Sequence, residues 1–165
     1  TNRKEIARYC EKNRIKVIKR KRRLAKDNAN GNDLLNYHSK LINVDLYLQL
    51  FITARLLSVH SINKCIKLLR NRKKYDSIFT CHNIYSWFWF QKKPVNYLPK
   101  VLPRSQDAKP ITMETTGLYG IKSNALKKYK CRIGKKPFFY EVSKKESLDL
   151  DTEEDFKILK TYLKK

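Results

Sequence analysis

Asp149 and Asp151 stand two residues apart in the segment Glu146-Ser147-Leu148-Asp149-Leu150-Asp151-Thr152-Glu153-Glu154-Asp155-Phe156. In a strand, residues i and i+2 face the same side. Two carboxylates aimed into one small volume repel unless a cation or a proton sits between them. Mg²⁺ suits such a pair, because it takes one or two carboxylates and keeps positions open for substrate phosphates. The same residues have a second use. Asp151 or Thr152 can cap a following helix, with Glu154 and Asp155 three residues further on as in a capping box. Acidic residues also collect at helix N-termini because the macrodipole favours them. The stretch therefore reads as a strand end, two aimed carboxylates and a helix start, and spacing alone does not choose between a cation site and a cap.

The elements that must position these residues are legible from periodicity. Residues 1–13 are helical in pattern, with Ile6, Ala7 and Cys10 on one face. Ile15–Ile18 is a short strand candidate, followed by a polar, basic loop over Lys19–Asn32. Asp33–Leu41 reads as a helix. Val44–Ile52 is apolar and suited to a buried central strand. Ser58 is an N-cap for a helix carrying Ile62, Cys65, Ile66 and Leu69. Tyr75–Cys81 is the next strand. Met113–Ile121 is another, followed by a short helix over Ser123–Lys130. Pro137–Val142 leads toward the acidic motif, and Thr152–Leu163 closes the chain as a helix. Strands alternating with helices predict an α/β fold with a mostly parallel sheet. Ligands bind such sheets beyond the carboxyl ends of the strands, where the acidic motif falls. Residues 83–111, with Trp87-Phe88-Trp89-Phe90 and four prolines at 94, 99, 103 and 110, read as an excursion, either a lid or a dimer arm.

Composition bounds the rest. One domain over 1–165 has room for a core, and no apolar run approaches the roughly 18 residues of a membrane span. The chain begins at Thr1 within a helical pattern, with the start of a larger domain expected before it. The net charge of +23, from 38 basic and 15 acidic residues, raises a polyanion as a partner. However, the charge is spread from end to end, Lys far outnumbers Arg, and only Lys19–Arg23 forms a tight block. Cys10, Cys65, Cys81 and Cys131 form no CxxC pair and, with His38, His60 and His82, no zinc spacing. Thiols of that kind fit a reducing cytoplasm.

Taken in order, these features resemble the acylneuraminate cytidylyltransferases, the CMP-sialic acid synthetase family that also activates related nonulosonic acids. Residues 1–7 resemble its TDS-x-EIA segment. Arg20-Lys21-Arg22-Arg23-Leu24-Ala25-Lys26-Asp27 is similar to RPxxLAxD, and Leu50–Leu56 to LQPTSPL. Tyr75–Phe79 resembles its YDSVF strand. Arg104-Ser105-Gln106-Asp107 looks like RxQD, and Glu114–Tyr119 like ENGxxY. Ser147–Thr152 is close to S-I-D-I-D-T. The resemblance spans nearly the whole chain.

It implies a three-layer Rossmann-like fold and a nucleotidyltransferase. The anomeric hydroxyl of a nonulosonic acid attacks the α-phosphate of CTP, pyrophosphate leaves, and a CMP-sugar forms. By position in the motifs, Asp149 and Asp151 would be catalytic and hold Mg²⁺. Arg20 and Thr53 would contact the nucleotide, and Arg104, Gln106, Glu114 and Tyr119 the sugar acid. A homodimer through residues 83–111 is implied as well. The chain also departs from the family. It contains no RxxSKRLPxKN-like phosphate loop, Phe51 stands in place of Gln, Arg55 in place of Pro, and Lys21 in place of the Pro after Arg20. A chain without that loop, truncated at its N-terminal side and with an open sheet edge, is expected to turn over weakly or not at all. The competing reading is a basic α/β protein that binds a nucleic-acid strand through Lys19–Arg23 and stacks it on Trp87 and Trp89. Ordered motifs explain more than charge does, so nucleic acid is the less favoured partner.

Overall fold

The computed structural model describes residues 3–26, 28–71 and 73–163. Thr1, Asn2 and Asp27, which enter two of the motif resemblances, lie outside the described residues. Where the sequence reads as one domain, the chain gathers into two compact units, Thr1–Val44 and Asp45–Lys165.

The first unit holds α1 (Lys4–Lys12), a 3₁₀ turn (Arg22–Ala25) and α2 (Gly31–Ser39). Asn30 starts α2 with a complete capping box. Its side-chain oxygen accepts from the Asn32 and Asp33 N–H groups, and Asp33 Oδ2 accepts from the Asn30 N–H at 3.2 Å. Leu24 and Leu35 are its buried apolar residues. Ile15–Ile18, expected as a strand, is not one. Four alternating residues carry a strand's period, but a strand exists only where a ladder partner accepts it.

The second unit is built on a four-stranded sheet in the order β1 (Leu46–Leu50), β5 (Ile111–Lys122), β2 (Ser77–Ile84), β6 (Pro137–Glu141). β5 runs antiparallel to both β1 and β2, while β2 and β6 are parallel. Hence β1, β2 and β6 all point one way and β5 alone opposes them. α3 (Val59–Asn71) follows β1, α4 (Ser123–Tyr129) links β5 to β6, and α5 (Glu153–Leu163) follows β6. β1, expected as a central strand, is one of the two edge strands of this sheet and is only half-buried. An apolar run signals burial but not lateral position, because its period carries no information about neighbours.

The centre of the sheet is β2, whose residues 77–81 are all buried. On one face Cys65 and Leu69 of α3 meet Ile78 and Leu118 in a core that also takes Leu48, Leu57 and Phe138. On the other, Phe79, Cys81 and Tyr119 pack with Phe51 and Ile133. Gly120 permits the first contact: a Cβ there would lie 2.8 Å from Ile78 Cγ2 and 3.0 Å from Leu48 Cδ2. All four cysteines are free thiols, and burial pushes Cys65 up to about 12. That leaves it a packing residue without thiolate character.

Residues 85–110 leave the sheet between β2 and β5 and form an excursion of their own. β3 (Trp89–Phe90) pairs with β4 (Lys93–Pro94) across Gln91 and Lys92, both at positive φ. That is the backbone sense of a two-residue hairpin turn. Asn96 ties the excursion together. Its side chain donates to Ser86 O at 2.7 Å and to Lys109 O at 2.6 Å and accepts from the Phe88 N–H. Tyr97 packs between Trp87 and Trp89.

Candidate active site

The carboxyl ends of β1, β2 and β6 lie along one edge of the sheet, and the start of antiparallel β5 joins them there. The register of β5 breaks at this edge. Phe79 faces Tyr119 and Cys81 faces Glu114, so the four residues 115–118 oppose the single residue Thr80. A bulge of this kind re-aims side chains that a regular ladder would hold in line. It is closed by buried hydroxyls: Thr115 Oγ1 is 2.7 Å from Thr80 Oγ1 and donates to Thr80 O at 2.9 Å, and Thr80 Oγ1 accepts from Leu118 N at 3.1 Å. Gly117 lets the bulge sit close, since a Cβ there would be 3.3 Å from Thr80 Oγ1 and 3.5 Å from the Ala54 Cβ.

The bulge gathers a polar cluster. The Thr116 hydroxyl donates to Asp149 Oδ2, and the buried Tyr119 hydroxyl donates to Glu114 Oε1. Arg132, on the loop between α4 and β6, lies 3.6 Å from Glu114 Oε1 and 3.5 Å from the centre of the Tyr119 ring. Its guanidinium therefore pairs with a carboxylate and sits over an aromatic ring. Burial raises the Tyr119 phenol well above its ordinary range. The hydrogen bond to Glu114 adds to this, and the Arg132 charge opposes it. Tyr119 is thus a fixed hydrogen-bond donor at neutral pH.

Asp149 and Asp151 lie on a loop after β6, not at a strand end. The expectation that strand pleating aims both carboxylates is corrected: their positions come from separate anchors. Asp149 Oδ1 accepts from the Leu150 N–H at 3.1 Å, while Oδ2 takes Thr116. Asp151 gives its N–H to Asp155 Oδ2, and its own carboxylate is exposed. The cap is made by Thr152, whose Oγ1 accepts from the Asp155 N–H at 3.2 Å, while Asp155 Oδ2 accepts from the Thr152 N–H at 2.8 Å. Among the described residues no group of three or more His, Cys, Asp or Glu could cage a metal ion. Two carboxylates on one loop fit only a cation that takes most of its ligands from elsewhere, which is the habit of Mg²⁺ with substrate phosphates.

The architecture has known counterparts. No family model and no curated protein matches the sequence. Among solved structures, the chain is similar to CMP:2-keto-3-deoxy-manno-octonic acid synthetase in complex with CTP. The TM-score is 0.70 at 13% identity, over 99% of this chain and 78% of that one. The two share a fold. The bifunctional IspDF from Campylobacter jejuni is similar over 76% of this chain and 33% of its own, with a TM-score of 0.54 at 19% identity.

On this fold the residues singled out in the sequence separate into groups. Glu114, Tyr119 and Asp149 come together, with Asp151 two residues from Asp149. Thr53 sits in the loop after β1, beside Ala54, which Gly117 approaches. Arg104 and Gln106 lie on an exposed 3₁₀ turn of the excursion, which leaves the sheet at the same edge. Arg104 pairs there with Asp107 at 2.6 Å. Arg20 belongs to the first unit, half-buried, and its charge adds to the burial that lowers the His38 imidazole. Sequence reasoning missed Thr116 and Arg132. Thr116 had no signal apart from its place in the ETTG run, and Arg132 is one cation among 38 basic residues.

A second feature lies at the opposite, amino edge. A cavity of about 570 Å³ opens there beside β1 and α3, lined by Asp45, Leu48, Ile66, Arg70 and Lys122 among others. It contains none of the residues of the carboxyl-edge cluster. The ligand-binding rule for open α/β sheets favours the carboxyl edge as the functional one. Among the described residues no helix is long and apolar enough to cross a membrane.

Proposed function

We propose that this chain is a CTP-dependent nucleotidyltransferase of the acylneuraminate cytidylyltransferase type, moving CMP from CTP to the anomeric hydroxyl of a nonulosonic acid. One observation carries the reading. Asp149, bonded to Thr116 of the bulge, acts electrostatically on Tyr119 of the Glu114–Tyr119–Arg132 cluster, at the carboxyl edge of a sheet that has the fold of a CTP-complexed sugar-acid synthetase. Attack of the anomeric oxygen on the α-phosphate forms one P–O bond and breaks another, releasing pyrophosphate. Positioning and charge neutralisation do most of the work in such a transfer. Asp149 and Asp151 would hold Mg²⁺, which supplies neutralisation of the triphosphate. Glu114, held from one side by Tyr119 and Arg132, offers a fixed acceptor to a sugar hydroxyl. Arg104 and Gln106 of the excursion would meet the sugar acid, and Thr53 the nucleotide.

The test is Mg²⁺-dependent CTP binding by calorimetry, together with pyrophosphate release using sialic, legionaminic, pseudaminic and 2-keto-3-deoxy-manno-octonic acids. Binding that needs Mg²⁺ and is abolished in Asp151→Asn supports the reading. No CTP binding, with oligonucleotide binding that falls steeply with salt, would replace it with the polyanion alternative.

A further inference from the structure

The Glu146 carboxylate accepts four hydrogen bonds from Ser58, Ser61 and Ser143, and nothing in the reaction uses it. Its Oε1 accepts from the Ser58 N–H at 3.1 Å, the Ser58 hydroxyl at 2.6 Å and the Ser61 hydroxyl at 2.7 Å. Its Oε2 lies 3.3 Å from Ser143 Oγ. Ser58 also caps α3 directly, accepting from the Ser61 N–H at 3.1 Å. A carboxylate from 85 to 88 residues away is thus seated on the N-terminus of a 13-residue helix, where N–H donors and the helix dipole both favour negative charge.

What this contact holds is the loop that carries Asp149 and Asp151. Residues 143–148 form one compact turn: the Ser147 N–H donates to Ser143 O at 3.0 Å, Ser147 Oγ to Lys144 O at 2.9 Å, and the Glu146 N–H to Ser143 Oγ at 3.2 Å. The turn is closed by its own hydrogen bonds, and Glu146 attaches it to α3. Beyond Asp151 the chain is fixed again by the Thr152–Asp155 box. The two aspartates are therefore suspended between two anchors, with Thr116 as the contact between them. α3 also begins where the loop after β1 ends, and that loop bears Thr53. Glu146 joins two carboxyl-edge loops into one frame.

We propose that Glu146 is a positioning residue. Its carboxylate sets the place of Asp149 and Asp151 relative to the loop after β1, so that losing it weakens the cation response of nucleotide binding more than it weakens the fold. This rests on the reading of Asp149 and Asp151 as the cation carboxylates. Residues that orient metal-binding carboxylates typically change metal affinity by about 10- to 100-fold when removed.

The experiment compares the full chain with Glu146→Ala, Glu146→Gln and Ser61→Ala. Leu126→Ala, in the buried face of α4, serves as a control for general destabilisation, with the global stability of each variant measured alongside. Amide exchange over 147–152 and the Mg²⁺ midpoint for CTP binding are both measured. The expected result for Glu146→Ala is exchange at 147–152 at least about tenfold faster than in Leu126→Ala, and a Mg²⁺ midpoint raised about tenfold. Glu146→Gln keeps one acceptor oxygen and falls between wild type and Ala, and Ser61→Ala shifts both readouts the same way but less. Exchange no faster than in the control overturns the proposal. So does faster exchange with an unmoved midpoint. If the unaltered chain shows no Mg²⁺-dependent CTP binding, the functional reading fails, and the exchange comparison alone decides whether Glu146 holds the loop.

Discussion

The Thr116 hydroxyl donates to Asp149 Oδ2, tying a bulge of β5 to the loop after β6 across 33 residues of chain. Without the bulge, a regular ladder would keep Thr116 in line with its neighbours. The break in register supplies the contact, and Thr80 with Thr115 holds the break in place.

Replacing Thr116 with Val removes this donor while keeping the shape. The expected loss in stability is about 1 kcal/mol, the usual net worth of one hydrogen bond, read from a denaturant midpoint. The larger effect falls on the Mg²⁺ response of CTP binding, which shifts about tenfold. An unchanged response would remove Thr116 from the site.

Tyr119 makes a prediction at high pH. Burial, followed by the bond to Glu114, raises its phenol above the ordinary value. A raised group stabilises the folded state below its unfolded pKa, and that contribution is lost as pH rises past about 10. Tyr119→Phe therefore flattens the alkaline limb of the stability profile. Ultraviolet titration of the native protein should show one tyrosine that ionises only as the fold gives way.

Glu146 acts at the other end of the scale. Burial pushes its carboxyl up, but hydrogen bonds from the Ser58 and Ser61 side chains and the Ser58 and Ser143 main chain together outweigh it, and the carboxyl ends below the usual range. A depressed carboxylate stabilises the fold above its unfolded pKa, and the contribution is lost as pH falls through the folded value. Thermal melts from pH 6 downward should fall less steeply in Glu146→Gln than in the unaltered chain.

Gly134 is required by Asp76. The Asp76 carboxylate accepts from the main-chain N–H groups of Lys135 at 2.9 Å and Lys136 at 3.0 Å, which fixes the entry to β6. A Cβ on residue 134 would fall within 3.0 Å of all three carboxylate atoms of Asp76. Gly134→Ala should cost about 1–3 kcal/mol, as overpacking does. Asp76→Asn combined with it should recover little, because the collision is steric.

The excursion carries the proposed homodimer contact. Trp89, Phe90 and Val101 are 57%, 68% and 72% exposed, in a segment held rigid by Asn96. Preformed aromatic surface of this kind is typical of protein contacts. Sedimentation should show a dimer that Trp89→Glu with Phe90→Lys converts to monomer while the far-ultraviolet spectrum stays the same. A monomer in the unaltered chain would end this part of the reading.

Most of the elements were legible in the sequence, and for identifiable reasons. Ser58 as a cap, the apolar stripe of α3 and the Thr152 box are local devices, each satisfied within a few residues. Ile15–Ile18 and the lateral position of β1 were not legible, because strand pairing is a long-range choice. The two aspartates show the same division. Their chemistry was visible from type and spacing, but the pleat argument for their direction failed, since the loop is aimed by Thr116 and Glu146 from other elements.

The sequence by itself determined the α/β class, the caps at Ser58 and Thr152 and the acidic run before the last helix, because these depend on periodicity and on residues close along the chain. Only the tertiary structure decided which carboxylate meets which donor. Thr116 reaches Asp149, Tyr119 and Arg132 converge on Glu114, and Glu146 seats on α3. These contacts arise where a bulged strand and two loops meet at one sheet edge, and no local pattern encodes that meeting.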